Sequence, residues 1–497
     1  MLKFGGKTMV NIMEKLFNDI FVSRDYPVDW NKGEIIPIPK ENKNKLEVTK
    51  FRPICILSNL CKFFEKIITE RLKIVVENKK WLPNFQNGFR AKRSTIDNLI
   101  IIQQEIHESF KKKEFFLAVY LDIKKAYDCV NRAKLLNIMK KLGIKGNIFA
   151  YFKNFLGKRY NRVRFKNKIS EFVEFKNGMP QGSPLSPILF NLYLSDISET
   201  ISEGISQFAD DLVIWESGID LDEVCRKMNN KLFSLNKYMK NKNLTISPDK
   251  SVAVIYSRKR IYHNPVDLFI GKNKIKFANV AKYLGLYLDK RLTWSQHVKE
   301  ILKRANTRCK QLKIMCTKFK FHQSIAITMY KSLIRPILEY GSEVWGDTCK
   351  TNRNKLKIIE QRALTTSLGV SKLAKRSEVN IEAGVLPLEL RFKRKYVTTF
   401  ERKRQSALNL YMANVDNKKL KGGARSSFVE RAEKTLDEYN LGSSVHISLD
   451  SKVLDRKLKE NWRNLIEGER KNTNVYFSGK LNFKYEYFSD SVIKVNL

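Results

Sequence analysis

Histidine and cysteine are scarce in this chain of 497 residues, and neither is grouped: five histidines (His107, His263, His297, His322, His446) and seven cysteines (Cys55, Cys61, Cys129, Cys225, Cys309, Cys316, Cys349) are scattered along it. Cys309 and Cys316 fall on one face of a helix, but no histidine stands at ligand spacing, so no zinc site is read here. An odd number of widely spaced cysteines in mostly apolar contexts suits buried thiols in a reducing compartment. No apolar stretch approaches the length of a bilayer span and no signal peptide is read at Met1, so neither a membrane partner nor secretion is expected. The expected location is the nucleus or the cytoplasm. Acids are the other shortage: 51 Asp and Glu face 94 Lys and Arg, a formal net charge of +43. That excess is spread along the chain rather than confined to a tail, and it points to a long polyanion as partner. A hydrophobic fraction of 43% is ordinary for a globular protein, and the length allows several domains.

Against this basic background the few clustered acids stand out. Asp210 and Asp211 sit between the apolar runs Ile205–Phe208 and Leu212–Trp215, a pattern that predicts a β-hairpin with carboxylates at its tip. Taken alone, the pair reads as turn aspartates bonding nearby backbone. A further acid delivered by another buried strand turns the reading towards a divalent metal, because adjacent negative charges gain nothing from a shared turn unless a cation offsets them. Phe115 to Ile123 is such a strand, a continuous apolar run with Asp122 near its end.

In chain order, apolar positions at helical spacing (Val10, Met13, Leu16, Phe17, Ile20, Phe21) predict an amphipathic helix over 10–22. A short β-type run broken by prolines ends at Lys40, and Phe51-Arg52-Pro53-Ile54 precedes a helix over about 59–76. Lys40 and Arg52 read either as cations aimed at a triphosphate or as two ordinary surface cations. The stretch 86–97, containing Gly88, Arg90 and Arg93, is a basic loop that opens a helix near Ser94 and suits backbone phosphates. Gly178-Met179-Pro180-Gln181-Gly182-Ser183-Pro184 forms a rigid turn before a helix, where glycines let backbone approach a ligand and a polar Gln181 stands between them. Three helices are predicted over 298–317, 323–339 and 355–368. Val453, Leu454, Leu458, Trp462, Leu465 and Ile466 fit an amphipathic helix, and Leu481, Phe483, Tyr485 and Tyr487 alternate as a strand.

In this order, from about Val10 to about Phe400, these stretches resemble the reverse transcriptases of non-LTR (LINE-like) retrotransposons. Phe51-Arg52-Pro53-Ile54 resembles the fingers motif whose arginine meets the triphosphate, Gln86 to Thr95 the family's QNGFR segment, and Asp122 with Tyr127 motif A. Met179-Pro180-Gln181-Gly182-Ser183 is similar to motif B and Phe208-Ala209-Asp210-Asp211 to motif C. Leu244 to Lys250 resembles motif D, and Tyr283-Leu284-Gly285 the primer grip.

The resemblance implies an α+β right-hand polymerase: fingers over 1–115, a palm with an antiparallel sheet over 116–290, a helical thumb over 291–375 and an extension of unknown role over 376–497. It implies Asp122, Asp210 and Asp211 as ligands of two Mg²⁺ ions, with Mn²⁺ as the alternative, and Lys250 as proton donor to the leaving group. Arg52, Lys40, Tyr127 and Gln181 would meet the nucleotide, Arg90, Arg93, Tyr283, Leu284 and Gly285 the nucleic acid. The implied partners are an RNA template, a DNA primer and dNTPs. The family's endonuclease, an RNase H signature and the C-terminal cysteine–histidine knuckle are not found in this sequence. The competing readings are an inactive truncated relic or basic RNA-binding protein, and another palm polymerase such as an intron maturase or an RNA-directed RNA polymerase.

Overall fold

The computed structural model describes residues 4–40, 48, 51–404, 427–439, 441 and 451–471. The chain divides into two compact units, residues 1–98 with 113–279 and residues 99–112 with 280–497. No helix among the described residues is long and apolar enough to cross a membrane.

The first unit opens with α1 (Gly6–Ser23), β1 (Lys32–Pro39), β2 (Phe51–Ile56) and α2 (Asn59–Asn78). Next comes α3 (Thr95–Lys111), whose first turn belongs here and whose remainder belongs to the second unit. There follow β3 (Phe115–Leu121), α4 (Arg132–Lys141), α5 (Gly146–Phe155), β4 (Arg159–Phe165), β5 (Lys168–Ile169), β6 (Val173–Phe175) and α6 (Ser186–Tyr193). The unit closes with β7 (Ile205–Phe208), β8 (Asp211–Gly218), α7 (Leu221–Asn241), β9 (Val252–Tyr256), β10 (Phe269–Ile270), β11 (Asn273–Lys274) and β12 (Lys276–Phe277).

One sheet runs β2-β1-β4-β5, with β6 also on β4. Strand β1 pairs with β2 along its length from Glu34 but with β4 only over Lys32–Ile35. Pro37 and Pro39, which have no N–H to give, thus lie where β1 has a single neighbour, which is why prolines do not break the strand. The other sheet runs β12-β9-β3-β8-β7 and is antiparallel except for β12 against β9. Strand β3 is paired on both sides and buried on both faces, so it reads as an unbroken apolar run rather than an alternation. Helix α7 is capped by Asp220, which accepts from Asp222 N–H at 3.0 Å, and buries Val224, Met228, Leu232, Leu235 and Met239 in the main core. In α1 only Met13 and Phe17 of the expected apolar face are buried, while Val10 stays exposed.

The second unit holds the hairpin β13 (Val280–Tyr283) and β14 (Leu286–Asp289), then α8 (Ser295–Phe319), α9 (Gln323–Met329), α10 (Arg335–Glu339), α11 (Ser342–Trp345) and α12 (Lys350–Leu368). It ends with α13 (Arg376–Glu382), α14 (Leu388–Arg404), α15 (Phe428–Glu438) and α16 (Ser451–Lys471). The helix predicted over 323–339 is interrupted by a π-helical turn, Tyr330–Ile334, just before Pro336. Proline cannot bond the carbonyl four residues back, and a locally widened turn accommodates it.

The β13–β14 hairpin, expected in the palm, clusters with the helical unit, as do residues 99–112 of the expected fingers. Within the stretch 376–497, Arg391 of α14 pairs with Glu339 and with Glu360, the latter at 2.7 Å. Leu454, Leu458 and Trp462 are buried on α16 as their spacing predicts. The side chains of Leu465 and Ile466, and the strand expected around Leu481, Phe483, Tyr485 and Tyr487, lie outside the described residues.

Candidate active site

Register places the three aspartates. Strands β3 and β8 pair Leu121 with Leu212, so the next residue of β3's chain, Asp122, emerges beside Asp211 at the start of β8. Strands β7 and β8 pair Phe208 with Asp211, leaving Ala209 and Asp210 as a two-residue turn. Beyond β3 the chain is held by the stretch 245–251: Lys124 N–H donates to Thr245 O at 2.8 Å, Ser247 N–H to Asp122 O at 2.8 Å, and Ile123 bridges Ile246.

Asp210 and Asp211 keep solvent contact, yet protein crowds them. Burial raises Asp210 above the usual carboxylate range, and the charge on Asp122 adds to this against the opposing pull of its own backbone amide and Arg52. Burial, then Asp210, then Asp122 push Asp211 up to about 6. Asp122 Oδ2 is shut off from solvent, accepts no hydrogen bond, and faces Lys250 Nζ at 3.4 Å. Among the described residues no three acids, histidines or cysteines converge into a ligand shell. The donor set nevertheless fits a hard divalent cation: all oxygen, mutually repelling, with one buried carboxylate oxygen that accepts no hydrogen bond.

The turn is braced from behind. Gln86 Oε1 accepts from Gly88 N–H at 2.7 Å and from Ala209 N–H at 3.1 Å, while Asn87 N–H donates to Gln207 O and Gln207 N–H to Phe85 O, both at 2.9 Å. Ala209 has φ +57°, a left-handed conformation that costs a non-glycine residue energy and is held by these bonds. Only glycine fits at 88, where a Cβ would collide with Ala209 N.

Arg90, expected at the nucleic acid, is turned inward here. That side chain is 5% exposed and forks onto Glu77 at 2.7 and 2.6 Å, with Nη1 on the carbonyls of Pro83 and Gln86. Its donors are engaged within the protein. Arg93 is likewise drawn inward, Nη1 donating to Asn87 Oδ1 at 3.0 Å and to Asn84 O; burial and the neighbouring Arg90 lower its pKa.

Of the expected nucleotide-contacting residues, Lys40 and Arg52 are exposed on β1's end and on β2, and Arg52 is close enough to act on Asp210. The Tyr127 ring stacks on Phe190 at 5.0 Å, and its hydroxyl is held well above the usual range by burial and then by Asp210. The Gln181 turn is tied down by Cys55 N–H to Gln181 O at 2.7 Å and Met179 N–H to Tyr127 O at 2.9 Å. Gly182, at φ +146°, lies where a Cβ would strike Cys55 O. In the second unit, Tyr283, expected at the nucleic acid, is a buried side chain. Leu284 and Gly285 form the hairpin turn there, and Leu284 O accepts from Tyr340 Oη at 2.9 Å.

Several residues of this site carried no expectation. Glu65 is fully buried on α2 and accepts from Ser183 Oγ at 2.5 Å and Cys61 Sγ at 3.1 Å; burial raises its pKa. Its signal was an acid on the stripe Cys61, Ile68, Leu72, Val76. Arg132 clamps the carbonyls of Gly157 and Gly178 at 2.8 Å and that of Asn177 at 3.2 Å. Gln86 and Asp128 had no signal beyond their neighbours.

A sequence profile described as reverse transcriptase (RNA-dependent DNA polymerase) matches residues 38–288, just over half of the chain. This protein belongs to that family, whose members generally use divalent metal ions. Among curated relatives it is 28% identical over 358 residues to a probable RNA-directed DNA polymerase from transposon BS of Drosophila melanogaster, covering 70% of this chain and 39% of that one. It is 29% identical over 353 residues to the probable RNA-directed DNA polymerase from transposon X-element of the same organism, covering 70% and 38%. The chain therefore spans about two fifths of the length of the curated relatives it matches. Among solved structures, apo telomerase from Candida tropicalis aligns with TM-score 0.40 and 13% identity over 82% of this chain and 73% of that one. The right-hand polymerase fold, α+β with its acids on an antiparallel sheet, rests on the family match and the strand order instead.

Proposed function

We propose that this chain is an RNA-directed DNA polymerase of a non-LTR retrotransposon, which extends a DNA primer 3′ end with dNTPs on an RNA template in the nucleus or cytoplasm. The observation that carries the reading is the strand register that sets Asp122, at the end of β3, beside Asp211 and the β7–β8 turn with Asp210, where burial and the neighbouring acids raise Asp210 and Asp211. Asp122, Asp210 and Asp211 would hold Mg²⁺ or Mn²⁺, which when bound supplies Lewis-acid activation of the primer hydroxyl and neutralises triphosphate charge. Arg52, exposed and coupled to Asp210, and Lys40 at the end of β1 receive the triphosphate. Lys250 Nζ is the proton donor to the departing pyrophosphate. Gln181 packs on the nucleotide. Tyr127, fixed by Phe190, presents an aromatic edge that overlaps a 2′ hydroxyl and so favours deoxynucleotides. Leu284 and Gly285 contribute a backbone contact to the primer, and the net charge of +43 supplies phosphate affinity. Primer extension by purified protein on an RNA template with Mg²⁺ and dNTPs tests the reading: extension only with ribonucleotides, or on no template, refutes it.

A further inference from the structure

The carboxylate of Asp128 accepts a hydrogen bond from Gln181 Nε2 at 2.9 Å, across 53 residues of sequence. Both residues line a cavity of about 560 Å³ together with Lys125, Pro53, Met179 and Pro180. The backbone around this contact is fastened on both sides. Gln181 O is bonded by Cys55 N–H at 2.7 Å, Met179 N–H reaches Tyr127 O at 2.9 Å and Gly178 N–H reaches Val130 O at 2.9 Å. Between these fixed points the Gln181 carboxamide is held by its bond to Asp128. Its two ends are nearly equal in shape and opposite in hydrogen bonding, one donating and one accepting.

We infer that Asp128 is a positioning residue that sets the hydrogen-bonding polarity of Gln181 towards the incoming nucleotide. A carboxylate can only accept, so it holds the amide nitrogen to itself and leaves Gln181 Oε1 as the acceptor for a donor group on the nucleotide. The inference rests on the polymerase reading of the site. A reciprocal exchange isolates the pair. In the Gln181→Glu variant two carboxylates oppose each other. In the double variant Asp128→Asn/Gln181→Glu the asparagine donates to the glutamate, and the second glutamate oxygen again faces the nucleotide as an acceptor.

The test is steady-state primer extension by the four proteins of this double-mutant cycle, with melting temperature and primer–template Kd measured alongside. Asp128→Asn, which is isosteric, should raise the dNTP KM about 3- to 10-fold with kcat nearly unchanged, since a neutral amide no longer enforces one orientation. Gln181→Glu should lose about 30-fold or more in kcat/KM, and the double variant should recover about tenfold of that loss, with primer–template Kd constant throughout. Losses that multiply, or a recovery that merely follows melting temperature, overturn the inference. A wild type that extends no primer overturns this inference together with the polymerase reading, whereas wild-type extension with an additive cycle overturns this inference alone.

Discussion

Glu339 and Glu360 in the helical unit and Asp122, Asp210 and Asp211 in the sheet unit are alike in chemistry, each group crowded by protein, and they reach opposite electrostatic ends. Burial pushes Glu339 up, but Arg391, Arg335 and Lys395 together outweigh it and hold the carboxyl below its usual range. Arg391, 4% exposed, pairs with both glutamates, and Tyr330 Oη donates to Glu360 at 2.9 Å. The cations that act on the aspartates among the described residues are exposed: Lys250, 67% exposed, and Arg52 on β2. An ion pair with so exposed a lysine contributes about 0–1 kcal/mol. One group is compensated within the protein and serves the fold. The other is left short of positive charge, which is what a cation-binding site requires.

The largest effect is expected where the uncompensated group is cut. Asp210→Ala should lower primer extension by at least about 10⁴-fold, about 5.5 kcal/mol, while binding of primer–template by fluorescence anisotropy stays near wild type. Near-normal synthesis would remove the distinction between the two groups. Cutting the compensated group should act on stability. Arg391→Met leaves Glu360 without its ion pair and Glu339 paired with Arg335 alone, and should cost about 3–5 kcal/mol in urea denaturation, much of it regained in Arg391→Met/Glu339→Gln/Glu360→Gln. Equal stability of the single variant and wild type would show that the pairing contributes nothing.

His297 extends the comparison to a buried base. Burial and then Arg304 lower its pKa from 6.5 to about 4. The unfolded chain takes the proton first, so the folded state loses stability as pH falls from about 6.5 towards 4, by about 3 kcal/mol in all. Above pH 6.5 both states are neutral there and the contribution is flat. Denaturation of wild type and His297→Gln at pH 7 and pH 4.5 measures it: the gap between the two pH values should narrow in the variant, and an unchanged gap rules His297 out. The smallest effect belongs to the ring beside the open aspartates. Tyr127→Ala should raise ribonucleotide incorporation about 10- to 100-fold, about 1.4–2.8 kcal/mol, with deoxynucleotide use little changed. A constant ratio of rNTP to dNTP incorporation would mean that Tyr127 is not what excludes the 2′ hydroxyl.

The sequence by itself determined the elements and which side chains are candidates for the chemistry. The strand at Phe115–Leu121, the acid at its end, the hairpin carrying Asp210 and Asp211 and the turn around Gln181 are written in runs of a few residues, because strand pairing and turn geometry depend on local pattern. What each cation is for was not legible. Arg90 and Arg52 look alike in a basic chain, and only the fold turns one onto Glu77 and leaves the other exposed near Asp210. Gln86 bracing Ala209, Asp128 accepting from Gln181, Tyr283 sinking into a core and Arg391 joining Glu339 to Glu360 are all settled by contacts between distant segments. A side chain's chemistry is local, but whether its hydrogen bonds and charge are used up by the protein or left for a ligand depends on what the tertiary structure brings beside it.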